Sequence, residues 1–152
     1  MKQNTELWNK IRQVIRLYDD MLKDVSKQFQ LTIVEVEIIS FLHFNAEKDT
    51  AADIVELKIL SKGCVSKAVE SLIQKSLLQR SQDSKDRRRI HLQLLPAASP
   101  IVQEIERVQE AFWEVIFNGF SEQELFLYSD FNNRILQNTH REVERRRQHE
   151  PR

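Results

Sequence analysis

The chain has 152 residues, 30% of them charged and 41% hydrophobic, a length that makes one domain or one compact subunit. With 23 Lys and Arg against 23 Asp and Glu the net charge is zero, so no whole-molecule field attracts a polyanion or a membrane surface, and any such attraction must be local. Two glycines, Gly63 and Gly119, are too few for a phosphate-cradling loop or a dinucleotide fingerprint, and the single Cys64 forms no internal disulfide.

The first residues resemble no signal peptide, and no apolar run approaches the roughly 18 residues of a membrane span. A cytoplasmic protein without a membrane partner is expected. Leu7, Ile11, Val14, Tyr18, Leu22, Val25 and Phe29 recur at steps of 4 and 3, which predicts one long amphipathic helix. A stripe of about six turns is more than a small core covers. Leu7, Ile11, Val14 and Tyr18 are therefore expected to form a homodimer seam, the other cover being a helix returning from the C-terminal end.

Thr32 followed by Glu35 is a capping box, opening a helix through Val34, Ile38, Phe41 and Leu42. Thr50 and Asp53 repeat the signal before a short helix from Ala51 to Leu57. After a break at Lys58 to Leu60, Ser61 caps a third helix that ends near Lys75, with Val65, Val69 and Leu72 inward. Between Leu77 and Leu94 the period becomes alternating, with Ile90, Leu92 and Leu94 on one face and Arg89, His91 and Gln93 on the other. This predicts the second strand of a hairpin whose apolar-free tip, Gln82 to Arg88, projects into solvent.

Helical spacing returns after Pro96 at Ile101, Ile105, Val108 and Phe112, and Gly119 stops it. Ser121 and Glu124 then open a last helix through Leu125, Tyr128, Ile135 and Leu136 toward a charged tail, Arg141 to Arg152, expected to fray. No repeat or low-complexity linker divides the chain.

Charge is segregated along this order. From Lys58 to His91 nine basic residues face three acidic ones, a net plus six that leaves minus six for everything else. A basic segment of this kind releases counterions from nucleic-acid phosphates. Helix, short helix, turn, helix and two-stranded hairpin form the layout of a winged helix-turn-helix, whose second motif helix enters the major groove. That helix presents Ser61, Lys62, Cys64, Ser66 and Lys67 in its first turns. The hairpin is then the wing, where Lys85, Asp86, Arg87, Arg88 and Arg89 suit the negative potential of a narrow minor groove.

The stretch DSKDRRRIHLQL resembles the wing of the multiple-antibiotic-resistance regulators, the MarR family, and places that family's Asp-x-Arg signature on Asp86 and Arg88. The resemblance implies that the arginine reaches the minor groove and the aspartate helps hold it. SKGCVSKAVESLIQKSLL is similar to the family's recognition helix and its exit. Likeness spans about residues 31 to 101, the flanking helices matching by layout only. Lys58 and Ile59 stand where the family often has Leu-Gly, Ser76 where Gly commonly follows the recognition helix, and Leu95-Pro96 where Thr and an acid are usual. The expected architecture is mainly α with a small β-hairpin wing: a single subunit, residues 1–152, with the winged unit at 31–95 and helical dimerisation regions at 1–30 and 96–147.

Other chemistries fit less well. His43, His91, His140 and His149 lie on different predicted elements without partners that would make an acid, base or nucleophile, so no enzyme is expected. His43 with Glu47, or His140 with Glu144, has helical spacing for a metal. However, zinc-sensing members of the family carry a histidine-rich run where this chain has Val102, Gln103, Glu104, Ile105 and Glu106, so no metal and no other cofactor is expected. Redox-sensing members place their cysteine in the first helix, which here has none. The aromatic residues suit a core, or a cleft for a small aromatic ligand between the helical base and the winged unit. The expected function is sequence-specific binding of double-stranded DNA at an inverted repeat by a homodimer. The alternative is a helical protein-interaction module whose winged unit takes an acidic partner.

Overall fold

The computed structural model describes residues 2–58 and 60–149. Ile59, in the break expected at Lys58 to Leu60, and the last three residues of the charged tail lie outside them. Helix α1 (Lys2–Phe29) is the amphipathic element its spacing predicts, with Leu22 and Val25 buried and Leu7, Ile11 and Val14 exposed. Tyr18 lies half-buried between these groups, its ring meeting Phe112 edge-on at a centroid distance of 5.0 Å. It therefore packs within its own chain.

Capping side chains set the next three helix starts. At α2 (Ile33–Phe44) the Glu35 backbone N–H donates to Thr32 Oγ1 at 3.2 Å while the Thr32 N–H donates to the Glu35 carboxylate at 2.6 Å. Thr50 and Asp53 repeat this exchange at α3 (Ala51–Lys58), which runs one residue beyond the expected Leu57. Ser61 accepts the Cys64 N–H at 3.2 Å to start α4 (Lys62–Gln74), whose inward row is Val65, Ala68, Val69 and Leu72. Each cap gives a partner to a backbone N–H that the first helical turn leaves free.

Strands β1 (Leu78–Gln82) and β2 (Ile90–Leu94) pair antiparallel, with Leu78 opposite Leu94, Arg80 opposite Leu92 and Gln82 opposite Ile90. Leu78 and Leu92 are buried, whereas Ile90, at the tip end of the ladder, is exposed. The Leu92 N–H donates to the Asp49 carbonyl at 2.7 Å, so the segment leading into α3 runs along the outer edge of β2. A 3-10 turn, Pro96–Ala98, feeds α5 (Ser99–Ile116). Gly119, at φ +86°, takes the left-handed conformation in the turn before α6 (Glu122–His149). Ser121 and Glu124 cap α6 reciprocally.

The chain divides into two units, residues 1–112 and 113–152. In the first, Val36, Ile38 and Ile39 of α2 form a core with Ile54, Val65, Leu72, Leu78, Ile101 and Ile105. In the second, Phe117 stacks on Trp113 at 5.3 Å and meets Tyr128 edge-on at 4.9 Å. Phe126, Phe131, Ile135 and Leu136 are exposed on α6. Contrary to the expected fraying, the described part of the tail is helical to His149. There Arg145 and Arg146 donate to Glu142, and these bonds push its carboxyl pKa down to about 2.

Two features of the first unit carry stability predictions. Glu35 is only 1% exposed, and its carboxylate accepts from Ser71 Oγ at 2.6 Å, from Lys75 Nζ at 2.8 and 3.0 Å, and from the Thr32 N–H. Burial alone would raise its pKa, but the bonds from Lys75, Ser71 and Thr32 outweigh burial and hold it below the usual glutamate value. Glu35→Ala leaves three donors without their acceptor and should cost about 2 to 4 kcal/mol in urea unfolding at neutral pH. Because the folded pKa is depressed, this stabilisation is present above the ordinary value of 4.5 and disappears as pH falls through the folded one.

The second feature is the exit from α4. The Leu77 N–H bonds the Leu72 carbonyl at 3.0 Å and the Ser76 N–H bonds the Ile73 carbonyl at 2.9 Å, a Schellman turn that holds Ser76 at φ +57°. Ser76→Gly removes the Cβ penalty of that conformation and should raise stability by about 1 kcal/mol, read as a higher urea midpoint with an unchanged slope.

Candidate nucleic-acid interface

Burial of Val65, Val69 and Leu72 turns the opposite side of α4 outward. Ser61, Lys62, Ser66 and Lys67 are exposed, and Cys64 is half-buried. The Ser61 hydroxyl is engaged as the helix cap. A Cβ built on Gly63 would meet nothing within 4 Å, so the backbone at the start of α4 faces open space.

The wing turn is built by carboxylates that bind backbone. The ladder continues one step beyond the strands, the Asp83 N–H donating to the Arg89 carbonyl at 3.0 Å. One Asp83 oxygen accepts the N–H groups of Lys85 and Asp86, both at 2.7 Å. Asp86 in turn accepts the Arg88 N–H at 3.0 Å, so the bond joining the two signature residues runs to the Arg88 main chain. Gln82 donates to the Arg87 carbonyl at 2.9 Å. These bonds leave the side chains of Lys85, Arg87, Arg88 and Arg89 exposed.

The basic window is thus sorted by pairing. Lys75 is bound to Glu35, and Arg80 donates to Glu70 at 3.0 Å. Among the described residues Lys62, Lys67, Lys85, Arg87 and Arg88 enter no ion pair. Arg89 is near enough to Asp53 to help lower its pKa, after the larger effect of the Thr50 hydroxyl.

Lys62, Arg88 and Arg89 share one region of the first unit. Ala51, Ala52 and Ile90 line two neighbouring hollows, one with Lys62 and Ser66 on its wall and the other with Arg88 and Arg89. The start of α4 and the root of the wing therefore flank the start of α3. The first hollow has a volume of about 470 Å³ and an apolar floor of Val55, Val65, Val69 and Leu92.

Two polar features here are not marked by local pattern. His91, placed by alternation on the outward face of β2, is half-buried, with Nδ1 2.7 Å from an Asp49 oxygen and Nε2 2.9 Å from an Asp83 oxygen. Glu35 pairs with Lys75 across 40 positions of sequence. His43 Nε2 lies 2.8 Å from Glu106 on α5. Among the described residues no three His, Cys, Asp or Glu are gathered as metal ligands would be.

Residues 31–98 match the family model of a winged helix DNA-binding domain. The transcriptional regulator AdcR of Streptococcus pneumoniae is 30% identical over 94 residues, 62% of this chain. That match takes in 63% of the relative's own length, so the chain spans less than two thirds of it. A MarR-family transcriptional regulator from Listeria monocytogenes, solved in complex with a 26-mer DNA, is 16% identical and superposes over 95% of this chain and 96% of its own with a TM-score of 0.76. A MarR regulator from Methanosarcina mazei is 14% identical, with a TM-score of 0.74 over 90% of this chain and 98% of its own. Residues 31–98 are thus similar to a winged helix DNA-binding domain, and the chain has the winged-helix fold that these solved MarR regulators share.

Proposed function

We propose that the protein is a sequence-specific regulator of transcription that binds double-stranded DNA as a homodimer, with α4 in the major groove and the wing in the minor groove. The observation that carries this reading is the set of unpaired cations on the two elements that flank α3, Lys62 and Lys67 on one side and Arg87 and Arg88 on the other. Cations already held by carboxylates would have to exchange partners to bind phosphate, whereas these need not. The S. pneumoniae relative is named as a transcriptional regulator, and the L. monocytogenes protein was solved with DNA.

The homodimer rests on apolar surface. Leu7, Ile11 and Val14 are 54%, 39% and 44% exposed along one stripe of α1, an apolar row that a second copy of the chain would cover. A two-fold dimer pairs with an inverted repeat whose half-sites lie about one helical turn apart. The 470 Å³ hollow beside α4 is lined only by the winged unit, and so is not the cleft expected between that unit and the helical base, but it is of a size to take a small aromatic ligand that would act on α4 and the wing together. Among the described residues no helix is long and apolar enough to cross a membrane.

Titration of the protein with duplexes from a random pool at several salt concentrations tests DNA binding. Affinity should fall steeply with salt, and a flat response would favour a protein partner instead. Arg88→Ala should weaken binding with the melting temperature nearly unchanged, the salt slope dropping by about 1 for each phosphate that is no longer neutralised. Arg88→Lys should recover only part of the affinity, since it keeps the charge without the planar fork. Lys62→Ala should relax discrimination at one base position by about 1 to 3 kcal/mol if it reads guanine, or weaken all duplexes alike if it holds phosphate. Wild-type affinity at every salt concentration would remove Lys62 from the interface.

Ile11→Asp places an unpaired carboxylate in the proposed seam, at a cost of several kcal/mol, on the order of 3 to 5. The variant should sediment as a monomer at concentrations where the parent is a dimer. A dimer of undiminished stability would place the interface elsewhere.

A further inference from the structure

We propose that His91, as an imidazolium held between Asp49 and Asp83, is a positioning residue that fixes the wing for its DNA contact; this rests on the DNA-binding reading above. Both ring nitrogens face a carboxylate oxygen, Nδ1 at 2.7 Å from Asp49 and Nε2 at 2.9 Å from Asp83. A neutral imidazole has one N–H and one lone pair, so in that form one of the two contacts would set lone pair against carboxylate. Only the protonated ring donates to both.

The bridge reaches the wing through Asp83. Its second oxygen holds the Lys85 and Asp86 N–H groups, and Asp86 holds that of Arg88. On the other side Asp49 belongs to the segment before α3, whose carbonyl takes the Leu92 N–H. His91 therefore links the wing turn to the body of the winged unit. The turn from Asp83 to Arg89 contains no apolar residue, so hydrogen bonds alone order it, and such segments are the first to open when a bond is removed.

The charged groups facing the ring are Asp49 from the segment before α3 and Asp83 from the end of β1; across the ladder His91 stands opposite the uncharged Ser81. The bond to Asp49, followed by the bond to Asp83, raises the histidine pKa, and the His91 bond leads the effects that lower that of Asp83. With the folded pKa above the ordinary 6.5, the anchoring is complete below 6.5 and is lost as pH rises through the folded value. A wing held by this bridge loses DNA affinity in the same direction.

The test compares DNA affinity of the parent, His91→Gln and His91→Arg between about pH 6 and about pH 9 at constant ionic strength, using a duplex selected from a random pool. The parent should lose about three- to tenfold in affinity across the range as the ordered-wing fraction falls. His91→Gln should bind weakly and without this slope, whereas His91→Arg, with a permanent charge and several donors, should bind more tightly than His91→Gln and be equally flat. A flat parent profile, or a His91→Gln profile matching the parent, would overturn the proposal. Independently of DNA and of any variant's folding, NMR of the parent should show the ring titrating above 6.5 with the Lys85 and Asp86 amides moving alongside it. A ring that titrates at or below 6.5 with still wing amides would also overturn it. If those amides follow the ring but no duplex binds at any pH, the bridge to the wing stands and the DNA-binding reading falls.

Discussion

The placement of the candidate interface depends on one buried carboxylate. Glu35 caps α2 through Thr32 and, from the same side chain, holds Ser71 and Lys75 at the far end of α4. An apolar contact at that position would supply comparable burial but would let α4 slide or roll, because dispersion and area burial are non-directional. Four hydrogen bonds to two oxygens fix both position and rotation. Since Val65, Val69 and Leu72 must face the core, fixing the rotation of α4 also determines that Lys62, Ser66 and Lys67 face outward.

The wing solves a different problem. It has to be ordered yet present its cations without neutralising them. A salt bridge from Asp86 to the Arg88 guanidinium would order the turn while occupying the group proposed to contact phosphate or base. Here the acids bind main-chain N–H groups, which orders the turn and keeps the guanidinium groups available. Arg80, midway along β1, shows the alternative, since its guanidinium is held by Glu70. Turn geometry and side-chain charge are thus handled by separate atoms of the same few residues.

What could be read from the sequence is what local chemistry dictates. The caps at Thr32, Thr50, Ser61 and Ser121 pair residues three apart, and the inward row of α4 follows from helical period, so both are written in short windows. Ser76 illustrates a sequence departure that left geometry intact: the left-handed exit usually served by glycine is kept, with a serine bearing the strain. The bonds from Lys75 to Glu35 and from His91 to Asp49 join residues 40 and 42 apart, and no periodicity announces them. Alternation assigned His91 to the solvent face of β2 correctly as a direction, but the segment before α3 covers that strand edge and supplies an acid there. Tyr18 continues the stripe of Leu7, Ile11 and Val14 in sequence, yet Phe112 covers it within the chain, which shortens the apolar surface open to a partner. Helical tail residues expected to fray are held by Glu142 and its two arginines, a local pairing visible in the charge spacing.

Zero net charge and a polyanionic partner are compatible because screening makes charge a local property. At physiological salt an interaction between exposed charges fades over about 8 Å, so an acidic segment elsewhere subtracts little from a basic surface beyond that reach. What matters is which cations at the surface are unpaired, and pairing withdraws Lys75 and Arg80 while leaving the start of α4 and the wing. A uniformly basic chain would bind any duplex strongly and raise the non-specific background against which an operator must compete. On the proposed function, a chain neutral overall, with unpaired cations at the start of α4 and on the wing, would keep phosphate attraction at a surface where base contacts could convert it into specificity.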